Sequence, residues 1–146
     1  MPAVFSRSDL RFEYPENWSI DESDDESGSE QVVISSPETA FWHLSRHSPD
    51  VELEPLFDEA LAALRSEYQD IEVEPAQESL EDHDLEGFDV NFICLDLTNT
   101  CQLRACRTPS ATFLLICQAE DREFNRVSAV FQAMLASLLR NLAHQD

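Results

Sequence analysis

Three runs decide the fold: Phe88-Asp89-Val90-Asn91-Phe92-Ile93-Cys94-Leu95-Asp96-Leu97, Cys101 to Arg107, and Ala111-Thr112-Phe113-Leu114-Leu115-Ile116-Cys117-Gln118-Ala119. They read as antiparallel strands, with Asn99-Thr100 and Pro109-Ser110 supplying the turns between them. The first and last are apolar in both phases. Val90, Phe92 and Cys94 oppose Ile93 and Leu95, and Leu114 and Ile116 oppose Phe113, Leu115 and Cys117. A sheet with one wet face alternates apolar and polar side chains. Strands apolar on both faces need cover on both, so the pattern predicts three layers: helix, sheet, helix.

Two segments supply the helices. Phe57, Leu61, Leu64 and Tyr68 form a stripe at helical spacing over Pro55 to Tyr68. Pro55 suits the first helical position, where no N–H is needed, and Asp58 and Glu59 favour the positive end of the dipole. Asp121 is the expected N-cap of a closing helix to Leu142. There Phe124, Val127, Phe131, Met134, Leu138 and Leu142 follow the helical period, widened by Val130, Leu135 and Leu139.

Upstream, Leu10 to Tyr14, Trp18 to Ile20, Gln31 to Ser36 and Ala40 to His47 read as strands, with a polar loop over Asp21 to Glu30. Ile71 to Ser79 is a further strand, followed by an acidic turn over Leu80 to Gly87. The expectation is one α+β domain of 146 residues, with a mostly antiparallel sheet flanked by helices in an α/β/α sandwich.

The segment Phe12-Glu13-Tyr14-Pro15-Glu16-Asn17-Trp18 resembles the opening of PsbP-like domains, the superfamily that includes the Ran-binding Mog proteins. Those domains begin with a strand, a Tyr-Pro-x-x-Trp turn and a second strand. Phe131 to Leu138 is similar to their closing helix. The resemblance implies the same α+β fold and work by binding or assembly: members attach to photosystem II, bind a small GTPase, or act as chaperones for secreted effectors. In the motif itself, Pro15 sets the turn and Tyr14 and Trp18 are apolar anchors. No functional residue carries over.

Thirty acids face nine arginines and no lysine, a formal charge of −21. Such a surface repels nucleic-acid phosphates and anionic membranes and attracts basic proteins or peptides. The acidic stretch Asp21, Glu22, Asp24, Asp25, Glu26 is the expected contact surface for a basic partner, weighed against a solvated loop. It misses the calcium-loop pattern, because Glu26 stands where glycine is required. Met1 to Arg7 contains no signal peptide pattern and no apolar run approaches a membrane span, so a cytoplasmic setting without membrane insertion is expected.

No catalytic, metal-binding or cofactor motif emerges. Cys94, Cys101, Cys106 and Cys117 lack Cys-x-x-Cys spacing and read as small buried hydrophobes. Two glycines exclude a glycine-rich phosphate loop. His43 and His47 fall on a strand, and His83 lies among acids. Arg104, Arg107, Arg122, Arg126 and Arg140 concentrate in the last third, where local pairing with acids is set against a basic patch. The expected function is a non-catalytic protein-binding or adaptor domain, with a chaperone-like style and self-association as further options. The alternative is a small-ligand or enzymatic domain with its pocket between helix and sheet. Because self-repulsion at this charge opposes compaction, moderate salt should raise the melting temperature; a fall on adding salt in a thermal scan contradicts this.

Overall fold

The computed structural model describes residues 2–7, 10–24 and 30–143. Among the described residues nine strands and two helices follow in the order β1 (Pro2–Arg7), β2 (Leu10–Pro15), β3 (Ser19–Asp24), β4 (Glu30–Ser35), β5 (Phe41–His47), α1 (Leu53–Glu67), β6 (Glu72–Leu80), β7 (His83–Cys94), β8 (Leu97–Arg107), β9 (Thr112–Glu120) and α2 (Asp121–Ala143). Strands β3 to β9 make one antiparallel sheet of seven, ordered β3-β4-β5-β9-β8-β7-β6. Strands β1 and β2 form a separate antiparallel hairpin.

The three layers form as the apolar pattern predicts. On one face α1 brings Phe57 and Leu61 onto Val90, Phe92, Cys101, Leu103 and Leu114. On the other, Phe131, Met134, Leu135 and Leu138 of α2 join Phe5 and Phe12 of the hairpin over Ile34, Trp42, Phe113 and Leu115. Phe12 anchors the hairpin, with its ring centroid 4.8 Å from that of Trp42 and 5.1 Å from that of Phe5. Strand β9 is central and buried on both faces, as its two apolar phases require.

Strand β7 departs from that expectation. Val90 and Phe92 are buried, but Ile93 is 66% exposed and Leu95 91% exposed. The reason is width. Seven strands at about 4.8 Å spacing span roughly 30 Å, whereas a helix is about 10–12 Å across. Helix α2 packs on β2, β8 and β9 and does not reach the far end of β7.

The hairpin turns also differ from the sequence reading. The β7–β8 turn is Leu95-Asp96, with φ of 52° and 64° and Cys94 opposite Leu97. Asn99 and Thr100 lie inside β8. The β6–β7 turn is Glu81-Asp82, with φ of 51° and 63°, not the whole of 80–87. Two-residue turns with positive φ at both positions match the twist of a hairpin, and that match outweighs the preference for Asn and Gly there.

Strand β3 runs through Asp24 rather than giving way to a loop at Asp21, because each residue from Ser19 to Asp24 finds a partner on β4. Strand β1 went unread because Phe5 is its one buried side chain. Helix α1 starts at Leu53 after Glu52, placing Pro55 at the third helical position and Glu54 in the first turn. Proline is tolerated there because the opening N–H groups lack intrahelical partners. Among the described residues no helix is long and apolar enough to cross a membrane.

Arg104, 7% exposed, ties the outer strands together. Its Nε donates to Glu78 Oε1 at 3.3 Å, its Nη2 to Asp89 Oδ1 at 2.9 Å, and its Nη1 to the Leu103 carbonyl at 3.0 Å. Gly87 lies opposite Arg104 on β7, where a Cβ would come within 1.7 Å of the Leu103 carbonyl oxygen. Gly87→Ala must therefore push the strands apart. The expected loss is about 3 kcal/mol, the upper end for overpacking, read as a lower denaturant midpoint at unchanged slope.

Candidate functional site

The acids expected to meet a partner fall on and after strand β3. Asp21 and Glu22 are exposed there, and Glu22 Oε1 lies 3.5 Å from Arg7 Nη1. Asp24 ends the strand. Asp25 and Glu26 lie outside the described residues. Strand β3 is one edge of the large sheet and β6 the other, and β6 carries Glu72, Glu74, Pro75 and Glu78. Charge and proline on an edge keep foreign strands from pairing with it. Edge protection thus accounts for these acids as well as partner binding does.

The motif turn forms as its residues suggest. The Trp18 N–H donates to the Pro15 carbonyl at 3.0 Å, and the Trp18 ring meets Phe131 edge-on, with centroids 6.0 Å apart. Trp18 is buried, a structural anchor. Tyr14 is half-buried and does something more: with Pro15 it forms one wall of an open groove of about 620 Å³. Pro2, Glu13, Glu16 and Asn17 continue that wall, and Ala129, Val130, Ala133 and Met134 of α2 form the other. The sequence reading put Val130 and Met134 in the core stripe. Met134 is buried there, but Val130 is half-buried and Ala129 and Ala133 are exposed. Two alanines one helical turn apart are the signal that such a groove leaves in a sequence.

A second apolar surface is the β7–β8 tip. Leu95 holds positive φ, which costs a side chain with a Cβ roughly 1–2 kcal/mol, and it still projects outward beside Ile93 and Leu97. Glu81 occupies the same place in the β6–β7 turn, but there it accepts from Arg140 Nη1 at 3.1 Å and its carbonyl from His83 at 2.8 Å. No such contact accounts for Leu95.

The histidines of β5, the cysteines and the arginines of the last third have structural surroundings. His43 Nε2 lies 3.2 Å from Gln31 Oε1, and His47 Nε2 lies 2.9 Å from Ser45 Oγ. Burial, then the neighbouring His47, lowers the His43 pKa. Cys101, Cys106 and Cys117 are buried and Cys94 half-buried, all as free thiols. Burial pushes Cys101 up to about 12 and Cys117 well above its ordinary value, so neither is a thiolate near neutrality. Local pairing also accounts for the arginines: Arg122 with Glu120, Arg126 with Glu38, Arg140 with Glu81, and Arg107 with the Val51 carbonyl. Among the described residues no three His, Cys, Asp or Glu side chains could hold a metal.

A wider cleft of about 740 Å³ lies at the β6–β7 end, with Glu78, Asp84, His83 and Cys106 in its walls. Glu78 is engaged by Arg104, Asp84 accepts from Ser79 Oγ at 2.8 Å, and the Cys106 thiol points to the Arg107 carbonyl. These pairings serve the sheet.

No protein-family model matches the chain, and no curated protein matches it. Solved structures do. The solution structure of cyanobacterial PsbP (CyanoP) from Synechocystis sp. PCC 6803 superposes with a TM-score of 0.63 at 12% identity, over 93% of this chain and 90% of that one. The fold is PsbP-like. LpqN of Mycobacterium tuberculosis, involved in cell envelope biogenesis, gives 0.54 at 14% identity, over 92% and 80%. PA94 of Pseudomonas aeruginosa, a protein of unknown function, gives 0.53 at 11% identity, over 94% and 95%. The PsbP-like resemblance of the Tyr14-Pro15-x-x-Trp18 turn is supported at the level of fold, and its narrower Ran-binding form is not.

Within this PsbP-like fold one buried acid escaped the sequence reading. Glu123, 3% exposed, accepts from Ser36 Oγ at 2.6 Å, Thr39 Oγ1 at 2.6 Å and the Thr39 N–H at 2.8 Å. It locks α2 to the β4–β5 turn. Its own N–H donates to Glu120 Oε2 at 3.3 Å, so Glu120, not Asp121, caps the helix. Burial raises the Glu123 pKa, but the bonds from Ser36, Thr39 and Ala40 together outweigh it and the net shift is downward. A depressed carboxyl stabilises the fold above its unfolded value, ordinarily 4.5, and that contribution disappears as pH falls through the lower folded value. Glu123→Gln should therefore lower stability near neutrality by about 1–3 kcal/mol, with the gap to wild type closing in acid. Chemical denaturation across pH measures it, and a gap independent of pH refutes the assignment.

Proposed function

We propose that this chain is a non-catalytic protein-binding domain, adaptor or chaperone-like in style, whose partner is basic. The observation that carries the reading is the β7–β8 tip: an outward Leu95 on strained backbone, flanked by Ile93 and Leu97, on a chain of charge −21. Exposed apolar side chains held against local preference fit a contact surface. The surrounding charge selects a basic partner and speeds encounter. Asp21, Glu22, Asp24, Asp25 and Glu26 belong to that acidic field. A cytoplasmic setting, in which four free thiols stay reduced, goes with the proposal.

Self-association fits less well. Two copies would each bring the same strong negative charge to the contact, which opposes association. The test is capture from native lysate on immobilised chain. A saturable partner that elutes with salt is expected. Replacing Leu95 by serine should weaken it about tenfold to a hundredfold, since one buried aliphatic side chain is worth roughly 1.5–3 kcal/mol. Absence of any partner, together with turnover of a small molecule, favours the ligand-binding or enzymatic alternative instead.

A further inference from the structure

The groove between the Tyr14-Pro15 turn and α2 is a second surface, remote in sequence from the β7–β8 tip. It has the volume of a ligand site, and such sites pair an apolar lining with a few placed polar groups. Its floor is Met134 and Val130, and its upper wall is Tyr14 and Pro15. Ala129 and Ala133 line it without side chains long enough to fill it. The charged residues among its lining are Glu13 and Glu16, both exposed.

From this geometry we infer that the groove takes a short peptide segment carrying a large aliphatic side chain between arginines or lysines. The aliphatic group enters against Val130 and Met134, and the flanking cations meet Glu13 and the negative field of the chain. The chain's own exposed tip is a poor occupant, because it would bring Asp96 against Glu13 and Glu16. The inference rests on reading the chain as a protein-binding domain and assigns the partner's chemistry at a defined place.

Three labelled synthetic peptides test it on the intact chain by fluorescence anisotropy. One carries leucines flanked by arginines, the second has serines for the leucines, and the third has glutamates for the arginines. The first should bind saturably and weaken with salt, and the other two should bind at least tenfold more weakly. Ala133→Gln fills the groove without changing charge, at an exposed helical position that accepts glutamine. It should weaken the first peptide at least tenfold while leaving the melting temperature within a few degrees. Glu13→Gln removes one negative charge from a net −21, so bulk attraction hardly changes, and it should still weaken the peptide severalfold.

Equal binding of the leucine and serine peptides would mean attraction by charge alone and overturn the inference. Unchanged affinity in Ala133→Gln would place the contact elsewhere and overturn it too, leaving the binding-domain reading intact. Binding of phosphatidylcholine vesicles in preference to the peptide would replace the occupant. Failure of every peptide, alongside failure of lysate capture, would remove the binding-domain reading itself.

Discussion

Burial of β9 on both faces is the constraint from which the rest of the structure follows. Leu114 faces the α1 core and Leu115 the α2 core, at 6% and 3% exposure. The backbone between them is bonded to β5 on one side and β8 on the other. Two hydrophobic cores therefore share one strand. Side chains alternate along a strand, so a slip of one residue would exchange every neighbour across the sheet. Register is fixed from the middle outward.

Polar groups secure what apolar burial leaves loose. Arg104 holds β6 and β7 to β8, and Glu123 holds α2 to the turn between β4 and β5. Both are buried and multiply bonded, which is the condition under which a charged group can leave water. The exposed acids have a different part to play. On the open edges they discourage pairing with other strands.

Two helices cannot cover a sheet of seven strands. The uncovered remainder stays open to solvent. At one end the β7–β8 hairpin outruns α2 and leaves Ile93 and Leu95 in water. At another, the Tyr14-Pro15 turn and α2 leave the groove between them. These surfaces arise from the geometry of coverage.

Much of the fold was legible in the chain itself. The double apolar phase of residues 113–117 announced a strand buried on both sides, the stripes of both helices announced the covering layers, and Tyr14, Pro15 and Trp18 announced the turn. Those signals are local, since periodicity and turn chemistry act within a few residues. The Leu95-Asp96 turn, the strand character of Asp21 to Asp24, the Glu123 lock and the groove were decided by tertiary structure alone. The last two depend on partners tens of residues away, Thr39 for Glu123 and the motif turn for Ala133, and the first two on how β7 pairs with β8 and β3 with β4. Coverage is likewise a property of the assembled sheet, because sequence records that a side chain is apolar but not whether a helix reaches it.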